Sequence, residues 1–191
     1  YKRQDYYDLM CADIDYRAQS HAVQRLHQLF GNAGTRHLDL ACGTGPHVRH
    51  FLDAGFQSGG LDINQPMLDK AAIRCPEAHF AVQDMCAFHL DEPVDLITCF
   101  LYSLHYSATV ERLAACIARV HGALRPGGLF CFNTVDRTRI DNRLFAAHTV
   151  DVDEGRFTFS SGWHYSGAGE RQSLRLRIEK TAGDELSLIH I

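Results

Sequence analysis

The stretch Leu38-Asp39-Leu40-Ala41-Cys42-Gly43-Thr44-Gly45 decides how this chain folds. Arg36 to Ala41 is a short apolar run of the kind buried on both faces of a parallel sheet, and Cys42 to Gly45 closes it with a tight turn. Pro46 then opens a helix running to about Ala54, because a first-turn residue needs no N–H partner and proline's fixed φ already suits it. Glycines at such a turn let the backbone approach a ligand closely. An acid about 20 residues further on, here Asp62 at the end of the next strand, can accept from two ribose hydroxyls. A dinucleotide fingerprint would place a third glycine shortly after Gly45, but His47-Val48 follow Pro46, so no close pyrophosphate seat is expected. Asp39 sets a carboxylate beside the loop, which suits an amino group better than a phosphate. The ligand is therefore expected to be a nucleoside that is cationic at one end.

The same grammar extends in both directions. Upstream, Asp15 to Phe30 places Val23, Leu26, Leu29 and Phe30 on one helix face, ended by Gly31-Asn32. Downstream follow a strand near Ser58 to Asp62, a helix near Gln65 to Arg74, a strand near Ala78 to Gln83 and an apolar run Val94 to Leu101. Val110, Leu113, Ile117, Val120 and Leu124 then recur at helical spacing, and Arg125-Pro126-Gly127-Gly128 turns into a strand Leu129 to Thr134. Such alternation predicts an α/β fold with a doubly wound, mostly parallel sheet and ligands at the carboxyl ends of its strands. After Asp136 polar and apolar residues alternate instead. This predicts an appended antiparallel hairpin, Arg156 to Tyr165 and Gln172 to Thr181, after a loop or short helix at Arg139 to Ala147. The expected organisation is a core with an N-terminal lid over residues 1–135, an auxiliary substrate-side segment of the same domain over 136–185, and a non-native tail over 186–191. The opening Tyr1-Lys2-Arg3-Gln4 is set aside in the same way.

Composition narrows the function. With 191 residues, 46% of them hydrophobic, the chain has the length of one domain; its net charge of -4 gives no basic field for a phosphate backbone, so nucleic acid is disfavoured as a partner. The longest segment without Asp, Glu, Lys or Arg, Leu96 to Val110, is too short to span a membrane. Seven cysteines without a Cys-x-x-Cys pair point to a reducing cytoplasm and no disulfide framework. The 12 histidines lack carboxylate or cysteine partners at ligand spacing, so no metal is expected, and His47 and His50 read as exposed or core-satisfied.

Several further segments join the glycine turn in a family resemblance. Over about Tyr6 to Thr134 the chain is similar to class I S-adenosylmethionine-dependent methyltransferases of the small-molecule type. Leu38 to Gly45 resembles the first motif of that family, Gly60 to Ala71 the second, Val82 to Phe88 the third, Val94 to Tyr106 the fourth, and Leu124 to Phe130 the turn before the fifth strand. The resemblance implies S-adenosyl-L-methionine as cofactor. It implies that Ala41, Cys42, Gly43 and Gly45 line the cofactor loop, that Asp39 reaches the methionine amino group and that Asp62 takes both ribose hydroxyls. Ile63 and Met67 would flank the adenine, Asp84 would accept from its amino group, Met85 would pack on the ring, and Phe100 would close the site after the fourth strand. The nucleic-acid signatures of the fourth motif are absent.

The expected reaction is transfer of the methyl group to an O or N atom of a small metabolite. The alternative is a catalytically silent domain that binds the cofactor or a partner. His105 is the candidate general base, because an unperturbed imidazole titrates near neutrality. Tyr102 and Tyr106 stand beside it on the substrate side, joined by Tyr7 and Tyr16 of a stretch resembling the family's lid and by Trp163 of the hairpin. A homodimer is compatible with these readings. A complete class I sheet has two more strands after the fifth, so the resemblance also implies a piece lacking that terminal hairpin, with an exposed edge that favours aggregation.

Overall fold

The computed structural model describes residues 7–143, 145–182 and 185–190. Tyr1 to Tyr6, Leu144 and Ile191, on which parts of the lid, connection and tail expectations fall, lie outside the described residues. Two compact units emerge, one of residues 15–134 and one of 1–14 with 135–191.

In the first unit, α2 (Tyr16–Phe30) leads into β1 (Arg36–Leu40), α3 (Pro46–Asp53), β2 (Gln57–Asp62), α4 (Gln65–Arg74), β3 (Phe80–Val82), β4 (Val94–Cys99), α5 (Val110–Ala123) and β5 (Leu124–Phe132). Side-chain caps fix several helix starts. Asp15 accepts from the Ala18 N–H at 2.8 Å, and Thr109 from Arg112 at 3.2 Å, filling donors that a first turn leaves unpaired. The five strands are all parallel in the order β3-β2-β1-β4-β5. The chain thus winds outward from β1 in one direction and then, from β4, in the other. That reversal opens a crevice at the carboxyl ends of β1 and β4, the usual ligand position in open α/β sheets. Leu40, Leu61, Leu96, Ile97, Val48 and Phe51 are fully buried between sheet and helices.

The opposite end of the sheet is tied by Asp95 of β4. Its buried carboxylate accepts from the Arg36 N–H at 3.0 Å and from the Asn32 amide at 3.1 Å, and faces the Arg125 guanidinium at 3.3 Å. Burial alone would raise its pKa, but these donors outweigh burial and hold it below the usual carboxylate value. β5 begins at Leu124 rather than at the predicted Leu129. The pairing jumps from Val94–Leu124 to Leu96–Leu129, and Gly127, at a φ of 75°, lets the strand absorb the Arg125–Gly128 turn as a bulge.

In the second unit, α1 (Tyr7–Met10) accompanies an antiparallel sheet of β6 (Phe145–Val152), β7 (Gly155–Tyr165), β8 (Gln172–Ala182) and β9 (Glu185–His190), in sequence order. The predicted hairpin forms as β7 and β8, the centre of a four-stranded sheet. One expectation is corrected here. The predicted loop or helix at Arg139 to Ala147 is a single 3-10 turn (Arg137–Arg139) followed by a strand, in which β-branched Thr149, Val150 and Val152 favour extended backbone. The stretch from Leu186, set aside as a tail, pairs with β8 from Leu186–Thr181 to His190–Arg177. The N-terminal residues also group with this sheet: Leu9 and Met10 pack on Phe157, Phe159 and Ile178, and the Leu9 carbonyl meets His148 Nε2 at 2.6 Å. None of the seven cysteines forms a disulfide. Among the described residues no helix is long and apolar enough to cross a membrane.

Candidate functional site

The carboxyl ends of β1 and β2 carry the predicted loop. Ala41 (φ 53°), Gly43 (φ 55°) and Gly45 (φ 76°) all take left-handed backbone, a conformation glycine adopts at no steric cost and alanine rarely. The loop is held from both sides: the Cys42 N–H donates to the Leu61 carbonyl at 3.0 Å, and Arg74 donates to the Thr44 carbonyl and hydroxyl at 2.6 and 2.7 Å. Burial pushes the Cys42 thiol far above its usual range, so it stays protonated and serves as packing.

Asp62 ends β2 and accepts from the Gly43 N–H at 2.9 Å through one oxygen and from the Asn64 N–H at 2.9 Å through the other. Those bonds leave lone pairs of both oxygens for further donors, since an ionised carboxylate accepts at about four sites. Ile63 beyond it is 73% exposed, whereas Met67, in the first turn of α4, is buried in the core. Asp84 accepts from the Cys86 N–H at 2.8 Å and pairs with Arg112; these two donors, in that order, lower its pKa and keep it ionised. Met85 next to it is buried.

Asp39 presents a different picture from the other two acids. Its carboxylate is 2% exposed, accepts from the Thr98 hydroxyl at 2.6 Å, and faces His47 Nδ1 at 3.9 Å. Burial pushes its pKa up to about 7, against the lowering effect of Thr98. A cationic ligand would supply the missing compensation, so the residue fits an ammonium. Phe100 and Tyr16 both place their rings 5.0 Å from that of His47, which brings two sequence-predicted residues to the same corner.

After β4 the chain is strained: Leu101 and Tyr102 both have positive φ, and the Tyr102 N–H is anchored to Asn133 Oδ1 at 2.8 Å. The 3-10 turn Ser103–Ser107 follows, carrying His105, whose pKa partial burial lowers, and the exposed Tyr106. Tyr7 and Trp163 belong to the second unit, where Tyr7 opens α1 and Trp163 pairs with Leu174. The sequence reading missed His47, His37 and Thr98 as neighbours of Asp39. The position of His47 just past Gly45, in the first turn of a helix that starts at the loop, was the available signal.

The comparisons with known proteins bear on the family and the fold. A family described as "Methyltransferase domain" matches residues 38–128. The chain is 30% identical over 169 residues to dTDP-3-amino-3,4,6-trideoxy-alpha-D-glucopyranose N,N-dimethyltransferase of Streptomyces venezuelae, covering 81% of this chain and 71% of that protein. The chain belongs to the S-adenosylmethionine-dependent class I methyltransferases. A second relative, dTDP-4-amino-2,3,4,6-tetradeoxy-D-glucose N,N-dimethyltransferase of Saccharopolyspora spinosa, is 36% identical over 92 residues, 48% of this chain and 37% of its own length. The chain thus spans well over half of one curated relative and little more than a third of the other. The crystal structure of Streptomyces venezuelae DesVI superposes with a TM-score of 0.84 at 26% identity, covering 98% of this methyltransferase chain and 80% of that one. SAM-bound CalS10 from Micromonospora echinaspora shares the fold, with a TM-score of 0.81 at 23% identity, over 100% of this chain and 80% of its own.

Proposed function

We propose that this methyltransferase methylates the amino nitrogen of a small metabolite, a nucleotide-activated amino sugar being the first candidate. The observation that carries the reading is the similarity, over most of both chains, to a sugar N,N-dimethyltransferase. The acidic balance of -4 also suits a small substrate better than a nucleic acid.

In this reading Ala41, Cys42, Gly43 and Gly45 form the floor of the cofactor site, Asp39 holds the ammonium of the amino-acid end, and Asp62 holds the ribose. Ile63, Met67, Asp84, Met85 and Phe100 surround the adenine and the mouth of the site. When bound, the cofactor supplies an activated sulfonium methyl, whose bond to sulfur breaks as a bond to the substrate nitrogen forms. The chain's own part is to hold the nucleophile in line and dispose of its proton. In this reading His105, a half-buried imidazole whose pKa burial lowers, is the candidate acceptor of the proton that the substrate nitrogen releases. Tyr102, Tyr106 and Tyr16 position the substrate.

The reading is tested by incubating the protein with S-adenosylmethionine and a panel of dTDP-linked amino sugars, with mass spectrometry of the products. Mass gains of one or two methyl groups, with matching S-adenosylhomocysteine, are expected. Binding of the cofactor without methylation of any amine would favour the catalytically silent alternative.

A further inference from the structure

A chain of hydrogen bonds runs behind Asp39 across three strands. His37 and Asp39 lie on one face of β1, with Ser58 of β2 the register partner of His37 and Thr98 of β4 that of Asp39. The Thr98 hydroxyl donates to Asp39 Oδ1 at 2.6 Å, His37 Nε2 lies 2.8 Å from the Thr98 hydroxyl oxygen, and His37 Nδ1 lies 2.7 Å from Ser58 Oγ. An ionised carboxylate only accepts, so Thr98 spends its proton on Asp39 and must receive one from His37 Nε2. Nδ1 of that neutral ring then accepts from Ser58. The Phe51 ring, 3.9 Å from the His37 ring, holds the imidazole in place. Oδ1 of Asp39 is thereby fixed, and Oδ2 is turned to His47.

His47 has the complementary arrangement. Its Nε2 lies 2.9 Å from Gln19 Oε1, an acceptor, so the single proton of a neutral ring sits on Nε2. Nδ1 then carries a lone pair. The 3.9 Å between Nδ1 and Asp39 Oδ2 is beyond hydrogen-bond length, so acceptors of two buried residues converge without bonding each other. Burial lowers the pKa of His47 to about 4, which keeps it an acceptor at neutral pH. Two acceptors at this spacing call for one group with two donors between them. An ammonium meets that need, and its charge also offsets that of Asp39.

We propose that His47 Nδ1 and Asp39 Oδ2 together receive the α-ammonium of the cofactor, making His47 a direct cofactor ligand, with Ser58, His37 and Thr98 as residues positioning the carboxylate. The assignment rests on the cofactor reading above.

Two ligands separate this role from a structural one: S-adenosylhomocysteine, which has the ammonium, and 5′-methylthioadenosine, which keeps the adenosine and sulfur but lacks the amino acid. In His47→Gln, whose amide can replace Nε2 but not Nδ1, the Kd for S-adenosylhomocysteine should rise about tenfold or more, as loss of a charge-assisted bond predicts. The Kd for 5′-methylthioadenosine should stay within about twofold. His47→Asn, whose amide can reach the Nδ1 position, should recover part of the loss, and the near-isosteric Thr98→Val should show the same selective weakening. Equal weakening of both ligands in these variants, or of neither, would overturn the assignment. If the unaltered protein bound neither ligand, the cofactor reading itself would fall and this assignment with it.

Discussion

Asp39 and Asp95 are two buried carboxylates in neighbouring strands of one sheet, and their surroundings are opposite. Asp95, at the amino end of β4, meets a backbone N–H, an amide and a guanidinium, all from its own fold, and its pKa is lowered. Asp39, at the carboxyl end of β1, receives one hydroxyl and is pushed up to about 7. A carboxylate that the protein compensates fully contributes to stability. One that it compensates only in part costs stability, and that cost is recovered when a cation binds. The two ends of the sheet therefore differ: one holds a carboxylate that the fold compensates and the other a carboxylate that it compensates only in part.

The comparison is broken most severely at Asp95. Asp95→Ala strands the donors of Arg36, Asn32 and Arg125, and should destabilise by about 3 kcal/mol or more in urea unfolding. A loss near zero would remove Asp95 from the account. Asp39→Asn should act in the other direction. Above pH 7.5 it should stabilise by about 2 kcal/mol, roughly half of what this pKa shift converts to at about 1.4 kcal/mol per unit, because the new amide must itself be desolvated. The same variant should bind S-adenosylhomocysteine far more weakly. A less stable protein with unchanged affinity would contradict both halves of the comparison.

The smallest effect is one of pH. Between pH about 4 and 7 the folded protein keeps a proton on Asp39 that the unfolded chain has released, so this residue's contribution to stability falls as pH rises through that window. An ammonium ligand needs the ionised form. Affinity for S-adenosylhomocysteine should therefore improve about tenfold from pH 5.5 to 6.5 and level off above about 7.5. In Asp39→Asn the profile should be flat over that range. A flat profile in the unaltered protein would mean that Asp39 is already ionised or does not face the ligand.

Local signals made most of the first unit legible. The helix expected near Gln65 to Arg74 has those bounds in α4, where the structure shows Asn64 as cap and Pro66 in the first turn. Leu38 to Gly45 likewise announces strand, turn and helix by residue type alone. The convergence of His37, Thr98 and His47 on Asp39 was not legible, because it depends on the register between β1 and β4, strands far apart in sequence. The second sheet was half legible for a related reason. β7 and β8 alternate strongly and lie next to each other in the chain, whereas β6 and β9 are edge strands whose assignment depends on pairing.

Calorimetric titration of S-adenosylhomocysteine into the unaltered protein and into Asp62→Ala tests the central claim most directly, that the carboxyl ends of β1 and β2 hold the cofactor. Saturable binding by the unaltered protein is predicted, with a loss of about 2 to 4 kcal/mol in the variant, because a charged acceptor of two hydroxyls is removed. Equal affinities, or no saturable binding by the unaltered protein, would contradict it.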